Sequence, residues 1–197
     1  TRAFENSQTI YTPAVHPREP YISSREKYVS PFYEREKELG GFFDNEVACW
    51  ERALAYKSNE QKLNKYLKEV PVRDDEWDHR HVPYEIANAE HLAMSDSVGM
   101  INLSHFPIMD IKGPDAERML EYLSVAKVGS NTPEGKVIYT NFLDEDGGVH
   151  ADLTISRLGS DSYRIVTGGA DGNRDWVLLR NYRDDNGLNA DINIRTH

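Results

Sequence analysis

The alternating pattern between residues 136 and 167 constrains the fold more than any other feature of the sequence. Apolar residues recur there at nearly every second position, which is the side-chain period of a β-strand. Turn-forming residues at 144–148 and 159–161 divide this stretch into three strands. The predicted strands cover residues 136–143, 149–157 and 163–167. Because short turns join consecutive strands in antiparallel pairs, we predict an antiparallel β-meander.

Helical spacing of apolar residues appears on both sides of the meander. Pro31 and Pro114 each stand where a proline suits the first turn of a helix, and Pro71 ends another helical segment. We predict helices at residues 32–39, 58–70, 86–97 and 114–127, and a last helix that begins at Asp171. We also predict a buried strand at 98–103, a neighbouring strand at 109–112 and a final strand at 188–194. The fold class is therefore α+β, an antiparallel β-meander with flanking helices.

The first thirty residues have the period of neither a helix nor a strand. They are polar and contain Pro13, Pro17 and Pro20, each of which disfavours a helix at the residue before it. We expect an extended arm that runs across another surface. The charged residues 73–76 are expected to form a solvated link between this part of the chain and the domain that follows.

The composition excludes several classes of protein. A formal charge of −10 and a pI near 5.2 argue against binding to nucleic acid or to an anionic membrane surface. No apolar run approaches the roughly 20 residues of a membrane span, and residues 1–4 do not begin a signal segment. The single cysteine, Cys49, fits a reducing compartment. We expect a soluble protein of the cytoplasm, or of the mitochondrial matrix in a eukaryote.

The second predicted strand carries a polar face on which Asp152 is the candidate functional residue. The same face carries His150, Thr154 and Ser156. A four-residue hairpin loop at 144–147 would place Tyr139 opposite Asp152 and Asn141 opposite His150. A two-residue loop would instead leave Tyr139 diagonal to Asp152, which is still within reach of a long side chain.

A carboxylate beside an aromatic ring suits a flat heterocycle. The carboxylate accepts N–H bonds or stabilises a developing cation, while the ring packs on a face or an edge of the ligand. The alternative interpretation is that this polar face is merely solvated, as in most antiparallel sheets. The pattern of residues by itself does not decide between the two.

Several segments resemble the folate-binding domain of the glycine-cleavage aminomethyltransferase and the matching domain of dimethylglycine and sarcosine dehydrogenases. The resemblance is carried by residues 99–106, 111–116 and 138–155, in the order that the family has them. Residues 31–40 and 49–52 look like the connector that follows the flavin domain in the dehydrogenases. The resemblance therefore favours the dehydrogenase branch, although the family's glycine is Cys49 here and the family's aspartate before Leu-Ser-His is Asn102.

The resemblance implies a division of the chain into two parts. Residues 1–75 would be the connector or arm that follows the flavin domain. Residues 76–197 would be the first part, the N-terminal half, of an aminomethyltransferase-like folate-binding domain. That domain continues beyond residue 197 in the family, so another domain or subunit is expected to complete the folate site. The chain has no Gly-x-Gly-x-x-Gly fingerprint, so FAD is expected only in a missing domain or a partner subunit.

The resemblance also implies an activity and its residues. Tetrahydrofolate would capture a one-carbon unit from a methylated amine such as dimethylglycine or sarcosine, delivered as an iminium product. Asp152 corresponds to the aspartate that contacts folate near the reacting nitrogens, and it is the expected catalytic residue. Tyr139 corresponds to a folate-contacting aromatic residue. Thr154, Ser156 and Phe106 are the further residues expected to bind the cofactor.

Two other functions remain open at this point. One is a non-catalytic folate-binding or scaffold subunit that contributes an interface through residues 1–75. The other is a folate-dependent demethylase that works without flavin. A metal site at His79 and His81 is not expected, because two histidines without a third ligand are usually surface or hydrogen-bonded residues.

Overall fold

The computed structural model describes residues 25–43, 45–47, 50–61, 63–70 and 84–195. The chain divides into two compact units, and the division falls between Leu103 and Ser104. The predicted boundary between residues 75 and 76 lies outside the described residues and stays a prediction. Most of the predicted arm, Cys49 and the two histidines at 79 and 81 also lie outside them.

The first unit contains short elements. They are helix α1 (Tyr33–Glu38), strands β1 (Asn45–Val47) and β2 (Trp50–Arg52), a 3-10 turn (Lys57–Asn59), and helices α2 (Asn64–Leu67) and α3 (Tyr84–Asp96). Helix α1 ends because Gly40 adopts a φ of +72°, a conformation that glycine reaches without strain. The predictions for α1 and α3 are confirmed, whereas the helix predicted at 58–70 is broken into a 3-10 turn and one short helix.

The strand predicted at residues 98–103 is wrong. The segment has no regular structure, and Val98 and Met100 are 97% and 98% exposed. Its expected neighbour, the strand at 108–112, pairs instead with two strands from later in the chain. Both edges of that strand are taken by β6 and β7, and apolarity alone does not make a strand.

The second unit contains the predicted meander. Its elements are β3 (Ile108–Lys112), α4 (Ala116–Leu123), β4 (Val137–Leu143), β5 (Val149–Arg157), β6 (Ser162–Thr167), α5 (Gly172–Asp185) and β7 (Asp191–Ile194). Neighbouring strands are antiparallel in the order β4-β5-β6-β3-β7. The α+β class and the meander are therefore confirmed, with β3 inserted between β6 and β7.

The core of the second unit lies on one face of this sheet. Alternate residues of β5, namely Ala151, Leu153 and Ile155, are buried on that face. Helices α4 and α5 cover it with Met119, Leu120, Leu123 and Leu179. The opposite face carries the polar residues of the strands and is more exposed. We call this the open face, and it holds the candidate site.

Candidate functional site

The register between β4 and β5 decides which residues face Asp152. Asn141 lies opposite Asp152, and Tyr139 lies opposite Thr154. The register with Tyr139 opposite Asp152 and Asn141 opposite His150 is therefore wrong. Through most of the hairpin, the strands pair as a two-residue loop would require, which was the alternative register. Tyr139 is diagonal to Asp152.

The hairpin departs from a regular ladder at a single residue. Phe142 pairs with Ala151 and Leu143 pairs with Val149, so His150 is left without a partner in a β-bulge. The turn itself is closed by Asp144, whose carboxylate accepts hydrogen bonds from the backbone N–H groups of residues 146 and 148. The predicted register is off by two residues: the loop is one residue longer than the predicted 144–147, and the bulge adds one more.

Tyr139 and Asp152 are directly hydrogen-bonded. The Tyr139 hydroxyl donates to Asp152 Oδ2 at 2.8 Å. The hydrogen bond and the negative charge of Asp152 raise the pKa of Tyr139 above its usual value. Both side chains are exposed, Tyr139 by 68%. The open face thus presents an oriented carboxylate next to an accessible aromatic ring.

Thr154 and Ser156 follow Asp152 along the same face of β5, and both are half-buried. Ser156 pairs with Arg164 of β6, which in turn pairs with Asp110 of β3. Arg164 donates to both carboxylate oxygens of Asp110 at 2.7 and 3.1 Å. These bonds hold the pKa of Asp110 below its usual value. Ser156 therefore borders a tightly paired ion cluster, whereas Thr154 lies between it and Asp152.

Phe106 lies in the turn that leads into β3, at the end of the sheet where β3 begins and β6 ends. The backbone N–H of Thr167 donates to the carbonyl of Pro107 at 3.2 Å, which fixes that turn against β6. A Cβ atom at Gly169 would come within 2.7 Å of His105 Cδ2, so this close approach requires glycine. Asp152 is near the same end of the sheet, because β5 begins there and Leu153 pairs with Thr167. The roles of Phe106, Thr154 and Ser156 in ligand binding stay predictions.

Asp175 on α5 is a residue that the sequence reasoning missed. Its side chain is fully buried and accepts hydrogen bonds from Thr167 Oγ1 and, at 3.1 Å, from Arg174 Nε. His150 Nε2 lies 4.0 Å from Asp175 Oδ1. The available signal was the helical spacing, since Asp175 stands four residues before the buried Leu179 and so shares its face.

The described residues offer hydrogen-bonding groups and an aromatic ring at the open face. Among residues 25–43, 45–47, 50–61, 63–70 and 84–195, no three His, Cys, Asp or Glu side chains are grouped so that they could hold a metal ion. None of the helices described there is long and apolar enough to cross a membrane. What the site can do chemically is orient a polar ring system and stabilise positive charge beside it.

Comparison with known proteins relates this geometry to a family. The GCVT N-terminal domain family matches residues 32–196. The chain belongs to this family. The aminomethyltransferase of Cupriavidus taiwanensis is 34% identical over 114 residues, which are 57% of this chain and 30% of that protein. The family resemblance predicted from the sequence is confirmed.

The fold has a solved counterpart. The crystal structure of the glycine cleavage system aminomethyltransferase T from Bartonella henselae matches with a TM-score of 0.60 and 20% sequence identity. The match covers 84% of this chain and 37% of that one. At this identity the likeness shows a common fold. The chain spans about a third of the length of the relatives that it matches.

Proposed function

We propose that this chain binds tetrahydrofolate and takes part in folate-dependent one-carbon transfer of the aminomethyltransferase type. The observation that carries the proposal is the hydrogen-bonded pair of Tyr139 and Asp152 on the open face of a GCVT-family domain. A carboxylate that is exposed yet already oriented by a phenol is ready to accept N–H bonds from a bound ring.

In this proposal Asp152 is the catalytic residue and acts through position and charge. Its carboxylate orients the cofactor near the reacting nitrogens and stabilises the positive charge of the incoming one-carbon unit. The Tyr139 hydroxyl holds the carboxylate in place, and the exposed face of the Tyr139 ring is available to pack against the ligand. Further contacts would come from Thr154 and Ser156 along the strand, and from Phe106 at the end of the sheet.

The finer proposal is that the reaction belongs to the oxidative N-demethylation of a methylated amine such as dimethylglycine or sarcosine. Its support is the likeness of residues 31–40 and 49–52 to the connector of the dehydrogenases. The iminium product and any FAD would come from another domain or a partner subunit, which would also complete the folate site. We place the protein in the cytoplasm, or in the mitochondrial matrix of a eukaryote.

A second candidate is the aminomethyltransferase reaction without an oxidative step. It is favoured by the relative of that name, which is 34% identical over 114 residues. A visible absorption spectrum of the purified full protein with its partners separates the two candidates. Flavin bands would support the oxidative assignment, and their absence would support the transferase or a flavin-independent demethylase.

Calorimetric titration of tetrahydrofolate into the full protein tests the proposal itself. We expect Asp152→Ala to weaken folate binding about tenfold and to slow formation of methylene-folate by about 10²- to 10³-fold, the range for a lost electrostatic contact. Asp191→Ala, at an exposed carboxylate on β7, is the matched control and should change neither quantity. Unchanged binding and turnover in Asp152→Ala would overturn the assignment, and a wild type that binds no folate would leave a scaffold role.

A further inference from the structure

The β-bulge at His150 lies between the hairpin turn and the pair of Tyr139 and Asp152. At the turn, Leu143 pairs with Val149. If this pairing continued inward without a bulge, Tyr139 would lie opposite Leu153, and Thr140 would lie opposite Asp152. Directly opposed residues share one face of a sheet, and both Leu153 and Thr140 are buried.

Without the bulge, the register would therefore set Tyr139 and Asp152 on different faces. A slip of one residue moves every side chain of a strand to the other face. The pairing at the turn and the pairing in the rest of the hairpin differ in register by one residue, and His150 is that extra residue. The hydrogen bond from Tyr139 to Asp152 thus depends on the bulge staying at His150.

Asp175 is placed to hold the bulge there. It receives a hydrogen bond from Thr167, whose own partner in the sheet is Leu153, the residue next to Asp152. Its other carboxylate oxygen faces His150 Nε2 at 4.0 Å and accepts from Arg174 Nε at 3.1 Å. The buried carboxylate of Asp175 therefore contacts Thr167, which pairs with the residue after Asp152, and faces His150, which lies two residues before Asp152.

The His150 ring is aimed at this carboxylate and not at the open face. Its Nε2 atom is buried and has no hydrogen-bond partner within the described part of the chain. A bulge commonly turns a side chain away from the face that regular alternation would give it. Asp175 Oδ1 lies 4.0 Å from His150 Nε2, on the side of the sheet that α5 covers.

We propose that His150 and Asp175 are positioning residues, which lock the β-bulge of β5 and thereby hold Asp152 against Tyr139 on the open face. The effect on catalysis that we infer rests on the proposed function. Its structural claim, that the Tyr139 to Asp152 hydrogen bond depends on His150 and Asp175, is testable without folate.

Titration of Tyr139 in the full protein tests the structural claim. The tyrosine ring carbons are labelled with 13C, and the Tyr139 signal is identified by its loss in Tyr139→Phe. Since Asp152 raises the pKa of Tyr139, we expect His150→Ala and Asp175→Asn to return that pKa toward its usual value, as Asp152→Ala should. His91→Ala, at an exposed histidine of α3, is the control and should leave the Tyr139 pKa unchanged.

Kinetics with tetrahydrofolate test the consequence. We expect His150→Ala and Asp175→Asn each to lower kcat about tenfold, the scale of a small misplacement of a catalytic group, with the folate KM within about twofold. In the Asp152→Ala background neither substitution should lower kcat further, because both act through Asp152. Thermal unfolding checks that each variant is folded, and His150→Gln replaces the alanine variant if that one unfolds.

Two results would overturn the inference. One is a Tyr139 pKa that stays raised in folded His150 and Asp175 variants. The other is a loss of kcat that multiplies with that of Asp152→Ala, which would show a general structural role. Either result leaves the proposed function standing if Asp152→Ala itself is defective, and an active Asp152→Ala overturns the proposed function instead.

Discussion

The two compact units differ in how their described buried residues are arranged. In the first unit, the buried carboxylate of Glu51 accepts hydrogen bonds from Arg25 Nε and Nη2 at 2.9 and 2.6 Å. The carboxylate of Glu36, also buried, accepts from the Tyr56 hydroxyl at 2.8 Å and from the Asn102 amide at 3.0 Å. Among the described residues of this unit, a small apolar cluster forms around Leu63, Val70 and Ala89.

The second unit instead buries a continuous apolar layer between its sheet and two helices. Burial of apolar area is non-directional and tolerates small displacements, whereas a buried carboxylate stabilises the fold only while its donors are in place. We therefore expect the site-bearing unit to be stabilised mainly by its continuous apolar layer, and the first unit to be more sensitive to the loss of a buried carboxylate. Four substitutions test this difference, from the largest expected effect to the smallest.

Removing apolar volume from the second unit should have the largest effect. Ile165 on β6 is fully buried, and Ile165→Ala is expected to lower the free energy of unfolding by about 3 to 4 kcal/mol. Native-state hydrogen exchange of peptides from β5 and β6 measures the loss. Val166→Ala, next along the strand and half-buried on the open face, should cost less than half as much. Equal costs would contradict the idea that support comes from the covered face.

Breaking the buried ion pair of the first unit should come next. Glu51→Ala leaves Arg25 without its carboxylate, and we expect a loss of about 2 to 3 kcal/mol in the exchange of peptides from residues 25–61. Glu38→Ala is the matched control, because the pair of Glu38 with Arg35 is exposed and should contribute no more than about 0.5 kcal/mol. A similar small effect for both would mean that the first unit does not depend on Glu51.

Tyr56→Phe removes one donor from the buried Glu36, at an expected cost of about 1 kcal/mol. Burial, and then the hydrogen bond to Glu36, raise the pKa of Tyr56 well above its usual value. Because the unfolded chain loses this proton first, the contribution of Tyr56 is complete below about pH 10 and declines as the pH rises further. Exchange-derived stability of the first unit should therefore fall less steeply above that pH in Tyr56→Phe, and Tyr28→Phe should behave as wild type.

Loss of a polar contact on the open face of the second unit should cost no more than that. Hydrogen bonds from Arg164 and then Arg195 lower the pKa of Asp110, so its contribution is present above the usual aspartate pKa near 4 and is lost as the pH falls. We expect Asp110→Asn to cost about 1 kcal/mol at neutral pH and to flatten the acid limb of unfolding. Asp146→Asn, in the exposed turn, should leave that limb unchanged. A larger loss of unfolding free energy for Asp110→Asn than for Glu51→Ala would contradict the difference between the two units.

Much of the second unit was predictable from the sequence because local rules decide it. The period-2 pattern placed β4, β5 and β6 within one residue of their observed bounds. The same alternation put Asp152 on the polar face, and the length of Tyr139 made its contact with Asp152 robust to the choice of register. The first unit was less predictable, since the segment at 58–70 has helical spacing but forms only short pieces.

The misses share one cause, which is that they depend on residues distant in the chain. Whether residues 98–103 form a strand depends on a free edge, and both edges of β3 are already occupied. The importance of Asp175 depends on Thr167 and His150, which reach it from two different strands.

The sequence by itself determined the α+β class, the meander, the family and the candidacy of Asp152, because alternation, turn residues and the order of motifs are local properties of the chain. Only the tertiary structure decided the register of the hairpin. The bulge at His150 faces Asp175 on α5, which follows β6 in the chain, and no local pattern encodes the approach of a helix that has not yet packed against a strand.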